Sequence, residues 1–341
     1  MSLVFGLLTG NLAILFLFVV SLLLLAIWSY SLMNTVSAKL SAFLEQVTVA
    51  RNQALQNGIK PSPALARANM ANLSTLNGKG PDVQYVSDGS FFVETDYRKE
   101  IPFRIYSPNP ADKLPVILHL HGGGHMCGDL DIYDAISRRM ANCTNSVVIT
   151  LDYRLAPEHP YPAAIEDCKF LLSHYQSLLG SVGFKDELIV AGDSAGAALT
   201  ATLSATAQFS PQISKQILLY PSLDYTMKYS SMDAYGSGYL LEKQGVAWYF
   251  DNYLQNVEDR KQVSPLYMPA PESMPETLMM VANCDPLQDE AYAYAEKLRK
   301  AGVSVQLSVF EGMVHGFLLL NTLVEEECEA AYELMNQFIN S

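Results

Sequence analysis

The longest uninterrupted apolar stretch of the chain lies at its N-terminus. From Met1 to Ala38 no side chain is charged, and Leu3 to Tyr30 is nearly all apolar. About 20 apolar residues are enough for a helix to cross the hydrocarbon core of a bilayer. The pattern therefore predicts a membrane anchor over residues 1–34, with Trp28 and Tyr30 at the membrane interface.

The predicted anchor implies a membrane localisation and leaves the side of the membrane open. Lys39 and Arg51 follow the span and favour the cytoplasmic face, whereas the sequons at Asn72 and Asn142 are the pattern of luminal glycosylation. A signal peptide removed on export and a buried helix are the alternatives. The anchor is favoured, because the start carries no Lys or Arg and the apolar run exceeds the roughly 7–15 residues of a signal peptide.

Two helices and then two strands are predicted after the anchor. Apolar positions at helical spacing span residues 35–57, and a second short helix is predicted from Pro63 to about Leu76. The period then changes, and residues 83–95 and 101–106 are typical of antiparallel strands joined by a turn. We expect residues 35–80 to form cap helices and residues 81–341 to form the main domain.

Beyond Pro115 short apolar runs alternate with helix-length amphipathic segments. The runs are Val116–Leu120, Val147–Leu151, Leu188–Ala191, Gln216–Leu219, Thr277–Val281 and Val303–Phe310, and the helical segments include 163–179, 195–207, 286–301 and 322–339. This alternation predicts an α/β fold with a mainly parallel sheet covered by helices on both faces. The interval of about 222–272 breaks the rhythm, and we expect it to be an insertion above the sheet.

Composition excludes several classes of function but does not identify one. The chain has 22 Lys+Arg against 35 Asp+Glu and a net charge of −13, which opposes binding to a phosphate backbone, so no nucleic-acid partner is expected. The five cysteines form no CxxC pair that would suggest zinc or redox chemistry. Glycine patterns do not match a phosphate cradle either, and we expect no cofactor.

The most specific motif is Gly192-Asp193-Ser194-Ala195-Gly196. It directly follows the apolar run Leu188–Ala191 and opens a helical segment. Gly-x-Ser-x-Gly between a strand and a helix is typical of a nucleophile elbow, in which small neighbours permit a strained turn that presents the serine hydroxyl. An ordinary strand–helix turn is the alternative. The position favours Ser194 as a nucleophile.

A serine nucleophile needs a base and an acid that orients the base, in the chain order Ser, acid, His. His315 is the only histidine downstream of Ser194, and it follows the last predicted strand. Asp285 follows the preceding strand, with Asp289 and Glu290 as nearby competitors. These positions predict a triad of Ser194, Asp285 and His315.

A glycine-rich motif, His121-Gly122-Gly123-Gly124, follows the strand Val116–Leu120. Acyl transfer builds negative charge on a carbonyl oxygen, and backbone N–H donors in such a loop stabilise it. Two metal readings compete for the same region. His119, His121 and His125 lack a downstream ligand set, and the loop with Asp129, Asp131 and Asp134 lacks the Gly and Glu of a calcium loop.

Five motifs in order make the chain similar to the hormone-sensitive-lipase family of α/β-hydrolases, which includes bacterial family IV esterases and animal arylacetamide deacetylases. The motifs are His121–Gly124, Asp152–Glu158, Gly192–Gly196, Asp285–Glu290 and His315–Phe317, and the resemblance covers roughly residues 62–340. It implies an eight-stranded sheet with a helical cap. It also implies Ser194 as nucleophile, His315 as base, Asp285 as its orienter, and Gly123, Gly124 and Ala195 as the oxyanion donors.

The resemblance implies hydrolysis of short to medium acyl esters through an acyl-serine intermediate, with an ester as the small-molecule or lipid-like partner and a homodimer as a candidate assembly. Amide or lipid deacetylation by the same triad is an alternative, and so is a non-catalytic binding protein on this fold. Retention of His315 argues against the binding protein. His125, Gln288 and Ala291 depart from the family pattern without touching the triad.

Overall fold

A computed structural model describes residues 36–93, 96–206, 212–257 and 259–341. Its centre is an eight-stranded sheet in the order β1-β2-β4-β3-β5-β6-β7-β8. The strands are β1 (Tyr85–Val93), β2 (Asp96–Ser107), β3 (Leu114–Leu120), β4 (Val147–Leu151), β5 (Phe184–Asp193), β6 (Lys215–Leu219), β7 (Glu276–Cys284) and β8 (Val305–Val314). β1 pairs antiparallel with β2 and β2 with β4, whereas all other neighbours are parallel.

Ten α-helices accompany the sheet in the described parts of the chain. They are α1 (Ala38–Gln56), α2 (Pro63–Ser74), α3 (Asp134–Thr144), α4 (Ala163–Leu178), α5 (Ala195–Thr206), α6 (Ser231–Ala234), α7 (Lys243–Tyr253), α8 (Arg260–Val263), α9 (Gln288–Lys300) and α10 (Glu325–Ile339), with short 3₁₀ turns at Thr75–Asn77, Pro265–Tyr267 and Phe317–Leu320.

Helices cover both faces of the sheet because the central strands are apolar on both sides. Every residue of β3, β4 and β6 is buried. On one face α3 and α10 pack on alternate strand residues such as Ile117 and Val148. On the other face α4 and α5 pack on the intervening residues, such as Val116 and Leu118. This confirms the α/β-hydrolase architecture that the alternation and the resemblance predict.

Two segments lie outside the sandwich of sheet and helices. The first is α1 with α2, where only Leu40 and Leu44 of the two helices are buried. The second is the stretch from α6 to the 3₁₀ turn after α8, within the predicted insertion of 222–272, whose buried residues include Phe250 and Tyr253. We call these the N-terminal segment and the inserted segment. Whether they act as a cap stays a prediction at this point.

The predicted transmembrane helix is wrong for this fold, and with it the predicted membrane localisation and membrane partner. Throughout the residues that the structure describes, no helix is long and apolar enough to cross a bilayer. α1 fails because charged and polar side chains are spread along it. The stretch for which the anchor was predicted, 1–34, lies outside the described residues. The fold class is therefore corrected to the α/β-hydrolase core with its two outer segments.

Candidate active site

Ser194 occupies a strained turn between β5 and α5. Its φ is +52°, in the left-handed region that side chains other than glycine seldom adopt. The small neighbours make this turn feasible, because a Cβ on Gly196 would overlap the carbonyl oxygen of Leu120 and a Cβ on Gly192 would overlap the backbone of Gly196. The geometry is that of the elbow expected from the motif, and it leaves Ser194 partly exposed among buried neighbours.

The three predicted triad residues form one continuous chain of hydrogen bonds. Ser194 Oγ lies 2.8 Å from His315 Nε2. His315 Nδ1 lies 2.7 Å from Asp285 Oδ2. Asp285 directly follows β7 and His315 directly follows β8, so the carboxyl ends of neighbouring parallel strands bring the two side chains together.

Asp285 is buried, and each of its two carboxylate oxygens has a hydrogen-bond partner. It is 1% exposed, and its second oxygen, Oδ1, accepts from the backbone N–H of Leu287 at 2.8 Å. A carboxylate bonded to Nδ1 holds the hydrogen on that nitrogen and leaves Nε2 free to accept a proton. The ring of His315 also packs edge-on against Tyr220, with 5.1 Å between ring centroids.

The competing acids have other partners. Asp289 Oδ2 accepts from Ser230 Oγ at 2.8 Å and from the N–H of Ser231 at 2.9 Å, so it holds the start of α6. Glu290 is buried and accepts from the N–H groups of Leu223 and Asp224. Burial raises the pKa of Glu290 well above its usual value. Of the three acids, Asp285 is the one that contacts the histidine.

The predicted oxyanion residues belong to two segments that adjoin each other, since the N–H of Gly122 donates to Asp193 Oδ1 at 2.8 Å. We call residues 121–128 the glycine loop; within it only Gly123 and Gly124 are partly exposed. Gly123 has a φ of +119° and packs so closely on Cys127 that a Cβ would overlap its carbonyl. Ala195 is the first residue of α5, where helix N–H groups have no intrahelical acceptor. The N–H groups of Gly123, Gly124 and Ala195 stay the predicted oxyanion donors.

Asp193 is a functional neighbour that the sequence reasoning missed. Its Oδ1 accepts from the N–H of Gly122 at 2.8 Å, and its Oδ2 accepts from the hydroxyl of Tyr133 at 3.0 Å. Burial raises the pKa of Asp193 to about 6. The residue ties the elbow to the glycine loop. Asp193 lies within the elbow motif, which could have drawn attention to it, but the motif alone predicts no contact for its side chain.

His119 in β3 and His121 in the glycine loop both have protein partners. Burial lowers the pKa of His119 to about 3 and that of His121 to about 4, so both rings are neutral. His119 Nδ1 lies 3.3 Å from the hydroxyls of Ser137 and Thr150. His121 stacks on Tyr153, with 4.4 Å between centroids. Across the described ranges no group of three His, Cys, Asp or Glu is arranged to hold a metal ion.

The Asp152–Glu158 motif forms a support for the loop. The hydroxyl of Tyr153 donates to the carbonyl of His121 at 2.6 Å. Arg154 is buried and pairs with Asp167 at 2.7 Å. The predicted calcium-like acids are also engaged elsewhere, since Asp131 and Asp134 both pair with Arg104.

The chain is similar to known proteins along most of its length. The pattern of the alpha/beta hydrolase fold family matches residues 117–319. An ethyl acetate hydrolase from Pseudomonas putida is 33% identical over 308 residues, which is 85% of this chain and 94% of that protein. A carboxylesterase from Mycobacterium tuberculosis is 32% identical over 277 residues, 78% of this chain and 85% of that protein.

Solved structures agree with the sequence matches. An esterase from Pyrobaculum calidifontis superimposes with a TM-score of 0.77 at 28% identity, covering 89% of this chain and 98% of that one. An ester hydrolase from the metagenome of Lake Arreo superimposes with a TM-score of 0.78 at 29% identity, over 89% and 98% of the two chains.

Proposed function

Because the chain belongs to the alpha/beta hydrolase fold family and is an ester hydrolase like the relatives it matches, we propose that it cleaves short to medium acyl esters through an acyl-serine intermediate on Ser194. The observation that carries this proposal is the hydrogen-bond chain from Asp285 through His315 to Ser194. The same chain favours hydrolysis over a binding role, because a binding protein has no need for a base at the serine.

In the proposed mechanism Ser194 Oγ attacks the ester carbonyl while His315 Nε2 accepts its proton. The imidazolium that forms is stabilised by the carboxylate of Asp285 and then gives its proton to the oxygen of the leaving alcohol. A water molecule, deprotonated by His315 in the same way, attacks the acyl-serine and releases the acid.

The tetrahedral intermediates place a negative charge on the former carbonyl oxygen. We assign its stabilisation to the N–H groups of Gly123, Gly124 and Ala195. The partial exposure of the two glycines and of Ser194 supports this assignment, as does the hydrogen bond from Gly122 to Asp193 that ties the loop to the elbow, and the positive end of the α5 dipole adds to it. Removal of one donor from such a site in other enzymes costs about 10²–10³ in kcat.

The N-terminal and inserted segments are proposed as the cap over the acyl site. The ring of Tyr249 in α7 lies so near Gly124 that a Cβ there would be 2.7 Å from it. Arg67 of α2 donates to the carbonyl of Met126 at 2.9 Å. Both contacts are on the glycine loop, so both segments adjoin the space in which the substrate would bind. A homodimer stays a prediction.

A panel of p-nitrophenyl esters tests the proposal. We expect the highest kcat/KM between the acetate and the octanoate and a sharp fall at the palmitate, together with covalent labelling of Ser194 by a fluorophosphonate. Ser194→Ala should fold with an unchanged Tm, escape labelling and lose about 10⁴–10⁶ in kcat. Near-normal turnover by this variant, purified away from host esterases, would remove the mechanism.

A further inference from the structure

The side chain that follows the three glycines is a buried histidine with contacts to the inserted segment. His125 is 1% exposed. Its ring stacks on Tyr253 with 3.7 Å between centroids and 7° between planes. Its Nε2 lies 3.2 Å from the hydroxyl of Tyr225. Burial lowers the pKa of His125 to about 3, so the stacked ring is neutral at working pH.

Two consecutive residues of the glycine loop face two rings of one helix. Tyr249 and Tyr253 are four residues apart in α7, a spacing that puts side chains on one face of a helix. Tyr249 lies against Gly124 and Tyr253 lies against His125. The face of α7 therefore covers the loop at the positions that carry and follow the oxyanion donors.

The backbone of the loop needs such support. Gly124 has a φ of +63° and His125 a φ of +60°. Glycine adopts this conformation readily, but for histidine it costs free energy and persists only where the surroundings hold it. If the ring of His125 loses its stack, its positive φ loses one support and depends on backbone hydrogen bonds such as that from Ala156 N–H to the His125 carbonyl at 2.9 Å. The peptide planes on the glycine side would then turn, and their N–H groups with them.

We propose that His125 is a positioning residue, whose stack on Tyr253 fixes the directions of the Gly123 and Gly124 N–H groups toward the oxyanion. This inference rests on the proposed function, because it assigns those groups as donors. It assigns His125 no contact with substrate. The inserted segment would act on the rate of the chemical step through this ring, in addition to covering the acyl group.

Three variants and one matched control test the proposal. His125→Ala removes the stacked ring, Tyr253→Leu removes its partner, and His125→Phe keeps a flat ring without the nitrogens. The control is His174→Ala, since His174 stacks on Phe170 with a similar geometry, 4.1 Å between centroids and 16° between planes, but lies exposed on α4. Active-site titration with a fluorophosphonate corrects kcat for the folded fraction.

We expect His125→Ala and Tyr253→Leu to lower kcat about 10- to 100-fold with KM within about threefold, because misplaced donors weaken binding of the transition state more than of the substrate. The Ki of a trifluoromethyl ketone, which forms the oxyanion adduct, should rise by the same factor as kcat falls. His125→Phe should stay within about threefold of wild type, and His174→Ala should not change kcat. A purely structural role would lower the Tm and leave the Ki of the titrated sites unchanged.

Amide hydrogen exchange of the peptide covering residues 121–128 supplies a readout that does not depend on turnover. Exchange should speed up in His125→Ala and not in His125→Phe. If wild type hydrolyses no ester, the proposed function fails, while faster exchange in His125→Ala would still support the positioning of the loop. The inference is overturned if His125→Ala keeps kcat, Ki and exchange at wild-type values, or if His125→Phe is as impaired as His125→Ala.

Discussion

The triad and the glycine loop are positioned by different means, although both adjoin Ser194. Asp285 and His315 directly follow strands of the sheet, and Ser194 lies in a turn between a strand and a helix. The glycine loop begins at the end of β3 and is tied to the core by Asp193 of β5, but Arg67 of α2 and Tyr253 of α7 also contact it. The triad is thus a property of the core, whereas the loop depends on the core and also on two segments that lie outside it.

This difference explains which residues the sequence reveals. A residue that directly follows a strand can be located once the strand itself is predicted, which is the case for Asp285 and His315. The contacts of the loop join positions such as Arg67 and Met126 or His125 and Tyr253, which are far apart in sequence. No local spacing signals such a pair. The contacts that hold the loop therefore follow from the fold and cannot be predicted from the motif.

The first prediction concerns the core and compares the loss of kcat caused by substitutions at two aspartates. Asp285→Asn should lower kcat by about 10⁴, because an amide favours the wrong tautomer of His315. Asp289→Asn should cost less than about tenfold, since Asp289 contacts Ser230 and Ser231 and its amide keeps an acceptor. Steady-state kinetics of both variants, each corrected for folded fraction, measure the ratio. The reverse ranking would show that the acid is misassigned.

The next effect concerns Asp193, where the two regions meet. Burial raises its pKa to about 6, against about 4 in an unfolded chain. Folding therefore favours the neutral carboxyl, so its contribution to stability is complete below about pH 4 and is lost as the pH rises through about 6. Asp193→Asn cannot ionise and keeps an acceptor for the N–H of Gly122.

The free energy of unfolding of wild type should therefore fall relative to Asp193→Asn by up to about 3 kcal/mol between pH 4 and pH 7. Urea unfolding at a series of pH values measures this difference, and the remaining titrating groups cancel because both proteins share them. A difference that does not vary with pH would mean that Asp193 titrates at its ordinary value and that its burial is compensated.

The smallest effect comes from the N-terminal segment, through two arginines that each pair with a glutamate. Arg67 binds Glu158 and also donates to the carbonyl groups of Met126 and Ala156. Arg51 binds Glu242, the residue before α7, at 2.7 Å. Arg67→Met should lower kcat about 3- to 10-fold, the scale of one or two hydrogen bonds. Arg51→Met should stay within about twofold.

Kinetics of these two variants with one ester decide whether the loop depends on α2. Both lose a partly exposed ion pair, which is worth little by itself, so a difference between them reports the backbone contacts of Arg67. Equal rates in the two variants would show that the loop is held from α7 and the core alone.

The sequence predicted which strands form the sheet better than it predicted where each strand begins and ends. The apolar run Val147–Leu151 coincides with β4 because both of its faces are buried. β5 begins at Phe184, four residues before the predicted run, because its first residues are more exposed and carry charges that hide the strand. β8 likewise continues beyond Phe310 to Val314, through Glu311 and Gly312. A search for apolar runs therefore places the start of a strand too late or its end too early where charged residues or a glycine interrupt the run.

At the site, the motifs predicted which residues meet and not what holds them. The contacts of Ser194, Asp285 and His315 follow the expected order. In the sequence, His125 stands out only as a residue that differs from the family pattern. Its meaning depends on Tyr253, which lies in the interval of about 222–272 that the sequence predicts only as an insertion above the sheet.

The four-residue spacing of Tyr249 and Tyr253 has a consequence for protein engineering. Adding or deleting one residue between them would rotate one ring by about 100° around α7, so that it no longer faced the loop. The inserted segment is therefore not an independent cassette for exchange between relatives. A chimera that replaces the inserted segment would have to keep two aromatic positions in register with Gly124 and His125.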